Sequence, residues 1–167
     1  MEIAPALLAE LEPVLRRALE KKLHVMLNWH HFHDLTNAPA ENEARFVAGW
    51  KSIAAHFKNW PEALFFELLN EPCDALTTSA ANPIYQKTIS TIRESNPSRL
   101  LVVSPGQWGI AGELDKLRLP DADDRIAVTF HCYEPFHFTH QGAGWVGFKA
   151  LRGVVYPGPP KSPLQVP

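Results

Sequence analysis

Four short apolar runs alternate along the chain with segments of helical periodicity. Residues 23–28 (LHVMLN), 64–70 (LFFELLN), 100–104 (LLVVS) and 126–131 (IAVTFH) are nearly continuous in large and β-branched side chains. A strand covered on both faces reads this way, and such coverage is the rule in parallel sheets. Before the first run, Leu8, Leu11, Leu15 and Leu19 recur at helical spacing, with Pro13 either kinking that helix or starting it. Phe46, Trp50, Ile53, Ala54 and Phe57 mark one helical face between the first two strands, with Asn42 and Glu43 suited to its start. Ile84, Thr88, Ile92 and Ser95 predict a helix over about 83–96, with Asn82 as N-cap and Pro83 in its first position. A short helix is expected near 112–117.

The order α-β-α-β-α-β-α-β implies a parallel sheet with right-handed crossovers. An open doubly wound sheet and an arc of a (β/α)₈ barrel both fit. No glycine-rich phosphate loop follows any strand, which weakens the nucleotide-binding version of the former. A complete barrel needs ~250 residues, so four strands make half of one. The predicted fold class is therefore α/β, a partial TIM barrel. Residues 1–167 are expected to be a single partial catalytic domain. It divides into a helix over 1–22, four strands with crossover helices over 23–133, a loop over 134–156 and an extended, proline-rich tail over 157–167.

Composition narrows the function classes. The 167 residues carry 16 basic and 18 acidic side chains for a net charge of −2, with a hydrophobic fraction of 46%, which is ordinary for a globular chain. Nucleic acid is not expected as a partner, because phosphate binding needs a basic face. A membrane is not expected either, since no apolar run approaches the ~20 residues that span one. The N-terminus does not read as a signal peptide, and the sequence names no compartment. Cys73 and Cys132 read as free thiols. Eight histidines are many for this length, and His30, His31, His33 and His131, His137, His140 form two clusters.

Candidate chemistry gathers at the strand C-termini, where barrel enzymes place their active sites. The four strands end in Asn28-Trp29-His30-His31-Phe32-His33-Asp34, Asn70-Glu71-Pro72, Ser104-Pro105-Gly106-Gln107-Trp108 and His131-Cys132-Tyr133-Glu134. Carboxylates, imidazoles and amides between indole walls suit a sugar, whose hydroxyls want polar partners and whose ring faces stack on aromatics. The string from Leu64 to Pro72 (LFFELLNEP) resembles the fourth-strand signature of glycoside hydrolase family 5, the cellulase-like retaining barrels. His30-His31 is similar to that family's paired histidines after strand three, and His131-Cys132-Tyr133 to its His-x-Tyr after strand six. The run from Phe136 to Ala143 (FHFTHQGA), with Trp145, resembles a loop of one cellulase-like branch. The resemblance spans about residues 15–157 and barrel strands three to six.

That resemblance implies Glu71 as the general acid/base of a retaining mechanism, in which one carboxyl protonates the leaving oxygen and then activates water. It implies Asn70 at the sugar 2-hydroxyl, His30 and His31 at sugar hydroxyls or behind the acid, His131 lining the site, and Tyr133 orienting the nucleophile. Trp108, Phe136 and Trp145 are the stacking candidates. The expected substrate is a β-1,4-glucan or related β-glycan, with no metal and no organic cofactor. The family's nucleophile, a second Glu in a Gly-Glu-Phe-like string on strand seven, has no match, and neither does its early Arg. Retention needs two carboxyls ~5–5.5 Å apart, so the chain reads as an internal piece of a longer enzyme, inactive by itself. Glu67 is read as a buried salt-bridge partner, two strand steps and ~13 Å from Glu71. Glu134 is the stand-in nucleophile to consider. Open barrel edges predict self-association. Two rival readings are a metal-dependent amidohydrolase-like barrel, with His31-x-His33 and His131 as ligands, and a non-catalytic glycan-binding piece.

Overall fold

The computed structural model describes residues 2–157. It contains two compact units, one reaching to His131 and one starting at Cys132. The first unit runs α1 (Pro5–Glu20), β1 (Val25–Asn28), α2 (His33–Asn37), α3 (Pro39–Phe57), β2 (Leu64–Glu67), α4 (Thr78–Arg93), β3 (Leu101–Val103) and β4 (Ile126–Val128). A 3₁₀ turn over Ala111–Lys116 lies between β3 and β4. All four strands are parallel and pair in sequence order β1-β2-β3-β4. This is the expected partial barrel. Register is fixed by pairs such as Asn28 with Glu67, and Val102 with both Glu67 and Ala127.

The apolar runs form strands because helices cover them. Phe46, Trp50, Ile53 and Phe57 of α3 and Ile84, Tyr85, Ile89 and Ile92 of α4 share one core with Leu64, Phe66, Leu101 and Val103. Two large core residues also find partners for their polar tips. Trp50 Nε1 donates to the Leu68 carbonyl at 3.0 Å and Tyr85 Oη to the Ser104 carbonyl at 3.1 Å. The central strands are sealed, whereas the outer ones are not: Met26 in β1 is 46% exposed and Val128 in β4 45%.

Several boundaries differ from the sequence reading. Helix α4 begins at Thr78 rather than Pro83, capped by Thr77 Oγ1, which accepts from the Ala80 amide at 3.2 Å. Asn82 is therefore inside the helix. Its carboxamide ties the segment before β4 to α4, donating to the Lys116 carbonyl and accepting from the Arg118 amide. Helix α3 starts at Pro39, and Asn42 sits in its first turns, donating to the carbonyls of Asp34 and Ala38. That bond braces α2, a five-residue helix too short for the hydrophobic periodicity to predict. Pro13 neither starts nor ends α1 but lies within it.

In the second unit, the expected loop contains a helical turn over Phe136–Thr139 and a 3₁₀ turn over Gly144–Val146. The carboxamide of Gln141 bonds both the carbonyl and the amide of Val154, closing the loop on itself. The extended tail expected over 157–167 falls, apart from Pro157, outside the described residues.

Candidate active site

Parallel strands deliver all their C-terminal ends to one edge of the sheet, and backbone hydrogen bonds beyond the strands continue the pairing there. The Asn70 amide donates to the Trp29 carbonyl (3.1 Å), the Trp108 amide to the Pro72 carbonyl (3.0 Å) and the His131 amide to the Gly109 carbonyl (2.8 Å). Each bond ties one strand's exit to the next. The exits of β1, β2, β3 and β4 are thus held side by side, and with them His30, Asn70, Glu71, Trp108 and His131.

The backbone takes uncommon conformations at this edge. Glu71, Gln107 and Trp108 have φ of 46°, 54° and 58°, in the left-handed region that non-glycine residues seldom occupy. Such positions cost on the order of 1–3 kcal/mol and persist where surrounding contacts overdetermine them. Gly106 supplies one such contact. Its amide donates to Thr78 Oγ1 at 2.9 Å, and a Cβ there would lie 2.5 Å from the Thr78 backbone nitrogen. Only glycine lets the exit of β3 approach the start of α4 this closely.

A short polar contact at the edge joins Glu71 Oε1 to His131 Nδ1 at 2.6 Å. Each side chain is about a quarter exposed, so the pair is sheltered but reachable. His30 and His31 pack at 4.4 Å between ring centroids, and His31 stacks on His33 at 5.4 Å. Trp108 is half exposed, with its indole available to a ligand. Trp29, by contrast, turns inward, stacking on Phe32 at 4.9 Å and meeting Phe46 at 5.4 Å.

Glu67 is buried at 3% exposure, and its partner is an amide rather than the cation expected from the sequence. Asn28 Nδ2 donates to Glu67 Oε2 at 3.0 Å. Asn28, which the sequence places at the end of the first strand without a role, also brings Nδ2 to 3.3 Å from His30 Nδ1. Its signal was its place at the end of β1, in register with a buried carboxylate. Burial and the neighbouring Asp74 carboxylate push the Cys73 thiol up to about 11, which keeps it protonated and unreactive. Among the described residues, no three His, Cys, Asp or Glu side chains are grouped to hold a metal ion.

The second unit contains the remaining candidates. The Tyr133 ring meets His140 edge-on at 5.1 Å, and Thr139 Oγ1 donates to the Tyr133 carbonyl at 2.6 Å. Phe136 stacks on His140 at 3.9 Å and meets Phe148 edge-on at 5.9 Å, so its ring is engaged within the loop. Trp145 is 83% exposed. Glu134 Oε2 accepts from the Phe136 amide at 3.0 Å, as an acidic side chain does at the start of a helical turn.

The model of the cellulase family, glycosyl hydrolase family 5, matches residues 1–156. Endoglucanase H of Acetivibrio thermocellus is 32% identical over 145 residues, covering 87% of this chain and 16% of that protein. Cellodextrinase A of Ruminococcus flavefaciens is 36% identical over 105 residues, covering 63% of this chain and 31% of its own length. The crystal structure of endoglucanase Cel5A from Thermotoga maritima superposes with a TM-score of 0.89 at 37% identity, over 94% of this chain and 51% of that one. The same Thermotoga enzyme has been solved with mannotriose and with cellobiose. The chain thus spans about half of that solved structure and less than a third of these two curated relatives.

Proposed function

We propose, for a chain that belongs to the cellulase family (glycosyl hydrolase family 5), that it supplies the acid/base half of a retaining β-1,4-glycan hydrolase. The observation that carries this reading is the 2.6 Å contact between Glu71 and His131, which brings the exits of β2 and β4 together beside Asn70. In the first step Glu71 gives its proton to the glycosidic oxygen as the C1–O bond breaks. In the second it takes a proton from the water that attacks C1. His131 fixes the Glu71 carboxyl through Oε1. Asn70 holds the 2-hydroxyl, His30 and His31 bind neighbouring hydroxyls, and Trp108 stacks on a sugar face. By the family resemblance, Tyr133 is assigned to orient the nucleophile, and Phe136 and Trp145 to stack on sugar rings. The whole of residues 1–167 is one part of a single catalytic domain.

Substrates are β-1,4-glucans and related β-glycans. A glucan and a mannan oligosaccharide both occupy the Thermotoga relative, which supports a site tolerant of the sugar's 2-position. The nucleophile is not among residues 1–167. Glu67 is sealed beneath Asn28, and Glu134 is engaged at a helical turn. Among the described residues, β1 and β4 have no outer strand neighbour, and their exposed apolar side chains make self-association the expected state.

The test is mass analysis of products after incubation with cello-oligosaccharides. General acid assistance alone contributes about 10²–10⁴-fold, against the 10⁶-fold and more that enzymes reach. No measurable turnover is therefore expected from residues 1–167. Robust turnover that Glu71→Gln abolishes would place a nucleophile inside this segment, with Glu134 the first residue to examine.

A further inference from the structure

A buried carboxylate that does no chemistry in the proposed mechanism lies directly beneath the site. Glu67 in β2 is paired in register with Asn28 at the end of β1, and accepts from Asn28 Nδ2 at 3.0 Å. The same nitrogen lies 3.3 Å from His30 Nδ1. These contacts order the protons along the row. The carboxamide turns its NH₂ group, not its oxygen, toward Glu67 Oε2, which accepts. That nitrogen carries two hydrogens and no lone pair to offer. One hydrogen goes to Glu67, and the other faces His30 Nδ1. An imidazole nitrogen that receives a hydrogen bond bears no proton, so in neutral His30 the proton sits on Nε2.

We propose that Glu67 is a positioning residue that acts through Asn28 to hold His30 in the Nε2–H tautomer, so that His30 presents a hydrogen-bond donor to its ligand. Glu67 sets which way the amide points, the amide sets which ring nitrogen accepts, and the opposite nitrogen faces outward as N–H. His30 is exposed, so that donor is accessible. Its partner is a sugar hydroxyl oxygen, an assignment that rests on the proposed function, whereas the tautomer does not. This relay explains an acidic side chain at 3% exposure whose partner among the described residues is an amide. A buried polar group is costly to keep for stability alone.

The experiment is ¹H–¹⁵N multiple-bond NMR of the ring nitrogens in the full chain labelled with ¹⁵N-histidine, without ligand, at mildly alkaline pH where imidazoles are neutral. Wild type is expected to show His30 Nδ1 unprotonated and Nε2 protonated, as a single tautomer. Asn28→Asp replaces the donor by an oxygen that accepts from the ring, and moves the proton to Nδ1. Glu67→Gln removes the group that orients the amide, and gives the averaged shifts of a tautomer mixture. A protonated Nδ1 in wild type, or a folded Asn28→Asp protein whose Nδ1 stays unprotonated, overturns the proposal. Should Asn28→Asp not fold, Asn28→Leu keeps the volume and removes the donor. A mixture is then expected, and an unchanged single tautomer refutes the relay. Cellotriose added to the wild-type sample separates the two ideas. A shift at His30 Nε2 supports the sugar contact, and its absence counts against the proposed function while leaving the tautomer measurement standing.

Discussion

Replacing Arg99 with Met should cost the chain a large share of its stability without moving the site. Arg99 is 5% exposed, and its guanidinium donates five hydrogen bonds. One goes to Asn96 Oδ1 and four to the carbonyls of Phe57, Trp60, Pro61 and Leu64. It therefore ties the last residue of α3, the turn that follows and the first residue of β2 into one knot. Burial holds its pKa below the ordinary arginine value, but arginine remains protonated throughout the working range. Methionine fills similar space and leaves those acceptors without donors, at about 1–3 kcal/mol for each that water cannot reach. Removing the buried cation also returns its desolvation penalty, several kcal/mol, so the net loss is about 3 kcal/mol. With a urea slope of about 2 kcal/mol/M, the unfolding midpoint should fall by about 1.5 M at unchanged slope. Arg99→Lys, with three donors and no planar fork, should recover only part of this. The assay is urea unfolding followed by tryptophan fluorescence at one fixed protein concentration. A shift under about 0.25 M, the range of ordinary surface substitutions, would refute the reasoning. The Glu71–His131 contact lies beyond the opposite end of β2, so the His131 ring resonances should be unchanged in Arg99→Met.

Two further outcomes follow from the same structure. Arg93 clamps Asp123 through two hydrogen bonds, 2.7 and 3.1 Å, and holds its carboxyl below the ordinary aspartate range, chiefly through that side-chain bond. A lowered folded value gives stability that is whole above the ordinary value of about 3.9 and lost as pH falls through the lower folded value. Asp123→Asn should remove that acid-limb dependence in urea midpoints measured from neutral pH downward, and an unchanged slope would contradict the pairing. For the open edges, light scattering over a wide concentration range should show mass rising with concentration, and a constant monomer mass would count against self-association.

How much was legible in the sequence depended on what holds each feature. The four strands could be read because both faces of the central ones are covered, which forces continuous apolar runs such as 64–70. The start of α4 could not, because Asn82-Pro83 imitates a cap signal while serving to tie the segment before β4 to the helix. Helix α2 is too short for periodicity to register, and depends instead on the buried Leu35 and Thr36 and on Asn42 from α3. The place of Glu71 at the exit of β2 was readable from Asn70-Glu71-Pro72, since local sequence and strand position coincide there. Its contact with His131 spans 60 residues and needs the register of the sheet. The relay of Glu67, Asn28 and His30 is likewise a product of pairing between strands, and single-strand patterning sees only a buried Glu and a terminal Asn.

The central claim is that this segment supplies a working general acid with no nucleophile of its own. Azide can be added as an external nucleophile to the chain with phenyl β-cellobioside, whose leaving group needs a proton. The C1–O bond then breaks as azide forms the C1–N bond and Glu71 protonates the departing phenol. The account requires α-cellobiosyl azide, the inverted product, at a rate that rises with azide and falls by about 10²–10⁴-fold in Glu71→Gln. Cellobiose released without azide, or an azide product indifferent to Glu71→Gln, would contradict it.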